Sequence, residues 1–103
     1  MPLYAIIGKD GPRGLELRKL HREAHLANLT SRDRRGEIPH AGPLLDEGGN
    51  PAGSVIILEA ANLAEAQSIA KSDPYVVEGI FESFEVYETR AVFPSRSREG
   101  EAR

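Results

Sequence analysis

Ser54-Val55-Ile56-Ile57-Leu58-Glu59 is nearly continuous in apolar character, as expected of a strand in the middle of a sheet and covered on both sides. Upstream of it, Asp46-Glu47-Gly48-Gly49-Asn50-Pro51-Ala52 combines a Gly pair with Asn-Pro. That composition predicts a hairpin loop joining strands over residues 37–45 and 53–60. Downstream, Asn62 suits an N-cap, and Glu65 three positions on forms a capping-box-like pair ahead of a helix running to about Ser72. Residues 2–8 alternate and are rich in β-branched and aromatic types, so they form a first strand, which Asp10-Gly11-Pro12 breaks. A long helix follows from about 13 to 35 and ends at Gly36, just past the basic run Arg32-Asp33-Arg34-Arg35. Phe81 to Phe93 is the last strand. The resulting order, β-α-β-β-α-β, is the split βαβ arrangement of a ferredoxin-like α+β fold, an antiparallel sheet with two helices on one face.

Such a sheet has a second face to cover, and a small domain does not leave a broad apolar face wet. A homodimer that buries it is the expected solution. In the long helix, Leu17, Leu20, Ala24 and Ala27 recur at three- and four-residue steps and predict the core stripe. Leu15, Leu26 and Leu29 fall on a different side, with Arg18 and His25 between the two flanks. Residues 1–93 read as one domain. Residues 94–103, Pro-Ser-Arg-Ser-Arg-Glu-Gly-Glu-Ala-Arg, carry no apolar anchor and predict a disordered tail.

The chain has 103 residues, 40% hydrophobic and 28% charged, which is ordinary for one globular domain. No apolar run approaches the roughly 20 residues of a membrane span. The N-terminus lacks the early basic residues of a secretory signal, so a cytoplasmic protein is expected. With no Cys, disulfides, thiolate chemistry and iron–sulfur clusters are excluded. The net charge of −3 hides an asymmetry: residues 13–35 hold seven Arg or Lys against three acids, while residues 36–93 hold two against ten. The basic helix suits an anionic small molecule. The acidic remainder and few aromatic residues argue against a nucleic-acid surface.

Chemistry centres on His21 and His25, spaced four apart on one side of the long helix. A shared metal is disfavoured, because the residue after the first His is Arg22 where a zinc protease needs Glu, and neither His40 nor Asp73 has a diagnostic spacing as a third ligand. No metal and no cofactor are expected. The stronger reading makes His25 a general base whose other ring nitrogen is held by Asp73. Its plain alternative is an exposed helix histidine. Asp73, followed by Pro74, also reads as the N-cap of a short turn through Tyr75-Val76-Val77. The two jobs are compatible if one carboxylate oxygen serves the backbone and the other the imidazole. Tyr75 offers a phenol to a substrate or packs in the core. A phosphate loop fails for want of a strand–Gly-loop–helix with Lys behind it, and Ser54 lacks the elbow of a serine hydrolase.

Together, Arg18-x-x-His21-Arg22-x-x-His25-Leu26, His40-Ala41-Gly42-Pro43-Leu44, the hairpin ending at Gly53-Ser54, Glu65-Ala66 and Asp73-Pro74-Tyr75 resemble the YciI-like (YCII-related domain) proteins over about residues 3–90. The resemblance implies a dimeric α+β barrel similar to muconolactone isomerases and small monooxygenases. It also implies an active site built from His25 and Asp73, with Arg18, Gly42 and Pro43 lining the same cleft. One activity assigned in that family is a dehydrochlorinase acting on a chlorinated hydroxyhydroquinone. The expectation is therefore a lyase- or isomerase-like enzyme for a small substrate. His25 and Asp73 are its catalytic pair, Arg18, His21, Gly42, Pro43 and Tyr75 its binding set, and Arg18 a donor toward developing negative charge. The rival expectation is a non-catalytic metabolite-binding or regulatory dimer.

Overall fold

The computed structural model describes residues 1–94, so the predicted disordered tail lies outside the described residues except for Pro94. The elements are β1 (Leu3–Asp10), α1 (Gly14–Arg34), β2 (His40–Leu45), β3 (Pro51–Glu59), α2 (Leu63–Ser72), α3 (Pro74–Val77) and β4 (Phe81–Thr89). The four strands form one antiparallel sheet in the order β2-β3-β1-β4. With β3 at its interior, this is the ferredoxin-like α+β fold. Asp46 shapes the β2–β3 turn, its Oδ1 accepting from the N–H groups of Gly48 and Asn50, and Gly49 supplies the left-handed conformation at φ 84°.

Register decides which side chains meet the helices. Tyr4 pairs with Leu58, Ile6 with Ile56 and Gly8 with Ser54. These residues are buried on the helix side, with Ile6 at 3% and Leu58 at 0% exposure. The alternate residues Ala5, Ile7, Val55 and Ile57 face the opposite side and are only half-buried. The main core joins Tyr4, Ile6, Ile56 and Leu58 to Leu29 of α1 and to Ala66, Ile69 and Ala70 of α2. A second cluster gathers Tyr75, Ile80 and Phe81, with Leu17 packed against it. Full burial of a side chain such as Leu58 or Ile80 contributes roughly 1.5–3 kcal/mol.

Helix ends follow the predicted chemistry. Asn62 Oδ1 accepts from the Glu65 N–H at 2.8 Å, while the Glu65 carboxylate accepts from the Ala61 N–H. At the end of α1, Gly36 N–H donates to Asp33 and Glu37 N–H to Arg32, closing the helix with Gly36 at φ 76°.

Two expectations are corrected. Of the predicted stripe of α1, Leu17 packs against the second cluster, but Leu20 is 70% exposed, and Ala24 and Ala27 are exposed as well. The buried positions are Gly14, His25 and Leu29, so the inner face of this helix mixes apolar residues with the polar Arg18 and His25, which are satisfied by partners from other elements. The last strand ends at Thr89, and Val92 and Phe93 beyond it are exposed.

Candidate active site

A cavity of about 550 Å³ opens where α1 stands over β2 and β3, with Tyr75 of α3 also in its lining. At about 100° per residue, the lining positions of α1 (15, 18, 19, 22, 25, 26 and 29) span an arc of roughly 120° starting at His25. Gly42 and Pro43 supply the β2 wall and Ser54 and Ile56 the β3 wall.

His25 is 8% exposed and Asp73 3%, and His25 Nδ1 lies 2.7 Å from Asp73 Oδ1. A carboxylate accepts, so Nδ1–H is the donor of this contact and Nε2 is the ring nitrogen it leaves unused. Asp73 is held by its place in the chain. It ends α2 and starts α3, and its Oδ1 also accepts from the Tyr75 N–H at 2.8 Å. One oxygen therefore serves both backbone and imidazole, where separate oxygens were expected. The Tyr75 ring lies parallel to His25, with centroids 3.9 Å apart and planes 3° apart, and meets Phe81 edge-on. The imidazole plane is thus fixed by stacking as well as by hydrogen bonding.

Arg18 is tied down more heavily. Its Nε and Nη2 donate to the two oxygens of Asp10 at 2.7 and 2.9 Å, and Nη2 also donates to Gly53 O and Ser54 Oγ. Its guanidinium lies 5.0 Å from the centre of the Tyr75 ring. Burial works against its charge, but the hydrogen bonds and negative charge of Asp10 outweigh that and raise its pKa further above the ordinary arginine value. Most of its donors are occupied in joining β1, α1 and β3, which narrows its expected role toward a substrate. Burial raises the Tyr75 pKa, partly opposed by Arg18 and Arg22, so Tyr75 stays a neutral phenol near pH 7.

His25, Asp73, Arg18, Gly42, Pro43 and Tyr75 therefore come together. His21 does not line the cavity. The correction is geometric: four residues turn a helix by about 400°, which puts His21 some 40° to the other side of His25 from the cavity arc. Asp10, Ser54 as a partner of Arg18, Lys19, Arg22 and Asn50 went unread in the sequence. One signal for Asp10 was available in Gly14, an unusual residue for a first helical turn. A Cβ there would sit 2.5 Å from Asp10 Oδ2, so the glycine makes room for the carboxylate. Among the described residues no group of three or more His, Cys, Asp or Glu is placed to hold a metal ion, and no helix is long and apolar enough to cross a membrane.

Fold and site together define a class: small α+β proteins in which a four-stranded antiparallel sheet carries its helices on one face, with a cavity between the first helix and the β2–β3 edge. Residues 2–90 match the YCII-related domain, and the chain belongs to that family. It is 36% identical over 97 residues to protein YciI of Escherichia coli O6:H1, a match covering 88% of this chain and 99% of that one. Among solved structures it is similar to the 5-chloro-2-hydroxyhydroquinone dehydrochlorinase of Burkholderia phenoliruptrix AC1100, captured in complex with 2,5-dihydroxybenzoquinone. The TM-score is 0.76 and the identity 30%, over 85% of this chain and 93% of that one. A protein from Agrobacterium tumefaciens shares the fold alone, at TM-score 0.53 and 16% identity over 90% of this chain and 96% of that one.

Proposed function

We propose that this chain is a cytoplasmic, cofactor-independent enzyme in which His25, oriented by Asp73, takes a proton from a small molecule held between α1 and the β2–β3 edge. The observation that carries the reading is the 2.7 Å contact between His25 Nδ1 and Asp73 Oδ1, made in a buried pair beside a cavity large enough for a substrate. The likeness to a dehydrochlorinase favours a lyase or isomerase step. Nε2 accepts a proton from a C–H or O–H of the substrate, and the electron pair left behind forms a new double bond. A leaving group such as chloride departs with its own pair, or the proton is returned at another atom. Asp73 stabilises the imidazolium that forms meanwhile. The phenol of Tyr75 is a donor available to the substrate.

A homodimer belongs to the same proposal. Ala5, Ile7, Val55 and Ile57 form an apolar face that no helix covers among the described residues, flanked by the exposed Tyr87, and a second copy packed sheet to sheet buries it. Sedimentation is expected to give twice the chain mass.

The decisive experiment incubates the protein with a small-molecule mixture that includes 5-chloro-2-hydroxyhydroquinone and follows consumption by mass spectrometry. Wild type is expected to consume a compound that His25→Ala turns over about 10²–10⁴-fold more slowly. Full activity in His25→Ala removes the assignment. Retention of a compound without consumption replaces the enzyme by a binding protein.

A further inference from the structure

The cavity wall is cationic in a protein of net charge −3. Arg18, Lys19 and Arg22 line it, and no Asp or Glu does so among the described residues. The charge of Arg18 is matched by Asp10. Lys19 and Arg22 form no ion pair among the described residues, unlike Arg13, Arg32 and Arg35 of the same basic stretch, which meet Glu16 or Glu37. Two cations thus face the same opening with no counter-charge, one helical turn apart, and Arg22 is a further turn from His25. The influence of Arg22 reaches the Tyr75 phenol, opposing the upward push of burial. Between these charges and the sheet the wall is apolar, with Leu26, Leu29 and Ile56.

We propose that Lys19 and Arg22 form an anion subsite that takes the carboxylate of a small planar organic acid, whose ring lies on the apolar wall and whose reactive end meets His25 Nε2. The planar fork of Arg22 suits a carboxylate, and the mobile ammonium of Lys19 supplies the second charge. The axial step from residue 22 to 25 is about 4.5 Å, the scale of a six-membered ring with one substituent. This rests on the cavity being the substrate site, and it names the feature of the substrate that selects it.

Calorimetric titration of the full chain with 2,5-dihydroxybenzoate and with its uncharged amide tests the subsite. At low ionic strength the acid is expected to bind at least about tenfold more tightly than the amide, with the advantage collapsing near 1 M salt, where screening acts within about 3 Å. The double variant K19Q/R22Q, its fold checked by circular dichroism, is expected to bind the acid no better than the amide while its affinity for the amide is unchanged. Equal affinities in the wild type overturn the proposal, as does a preference that survives in the double variant. So does the absence of acid binding at about 10 mM. These outcomes are read from binding alone. A charge-blind cavity in a protein whose turnover needs His25 removes the subsite and leaves the enzyme, whereas a charge-selective cavity without turnover does the reverse.

Discussion

Arg18 and His25 lie about two turns apart on α1, and each is held by a buried carboxylate from another element. Asp10 meets Arg18 from β1, and Asp73 meets His25 from the α2–α3 junction. The difference lies in what each pair leaves over. Arg18 gives Nε and Nη2 to Asp10, Gly53 and Ser54, so its end of the cavity is a closed network that ties three elements together. His25 gives Nδ1 to Asp73 and keeps Nε2. A polar pair whose donors are mostly engaged across three elements stiffens a fold, and one that leaves a ring nitrogen unused beside a cavity is open to chemistry.

Substitutions at the two pairs separate these roles. Arg18→Ala leaves the Asp10 carboxylate, whose side chain is 7% exposed, buried without a counter-charge, so urea unfolding is expected to show a loss of about 3–5 kcal/mol. A loss below about 1 kcal/mol would break the distinction. Asp73→Asn keeps an oxygen to cap α3, and Asn caps as well as Asp. Stability is therefore expected to fall by less than about 1 kcal/mol, while turnover falls toward that of His25→Ala. A variant that unfolds yet turns over normally per folded molecule reverses the roles. His21→Ala, at a position outside the cavity, is expected to change stability by no more than about 0.5 kcal/mol and turnover not at all. A clear drop in turnover would restore the second histidine to the site.

The same contrast explains what could be read in advance. The element order was legible because β3, the Gly-rich hairpin and the Asn62 cap each carry a local signal, and the short turn after Asp73-Pro74 did too. The inner face of α1 was not. Periodicity ranks positions by hydrophobicity and so favours Leu20, Ala24 and Ala27, but the residues turned inward include Arg18, partly buried, and His25, buried, each met by a carboxylate from another element. No window along a helix contains those partners. His25 and Asp73 were reached by chemistry and family resemblance, whereas Asp10 sat in a segment that reads as a strand-breaking turn and proved to be the last residue of β1.

Asp73 ends one helix, begins the next and holds His25 from 48 residues away. During synthesis the imidazole therefore emerges long before the carboxylate that holds it, and a nascent chain stopped before Asp73 carries His25 without its partner. The His25–Asp73 contact therefore exists only once the α2–α3 junction has packed against α1.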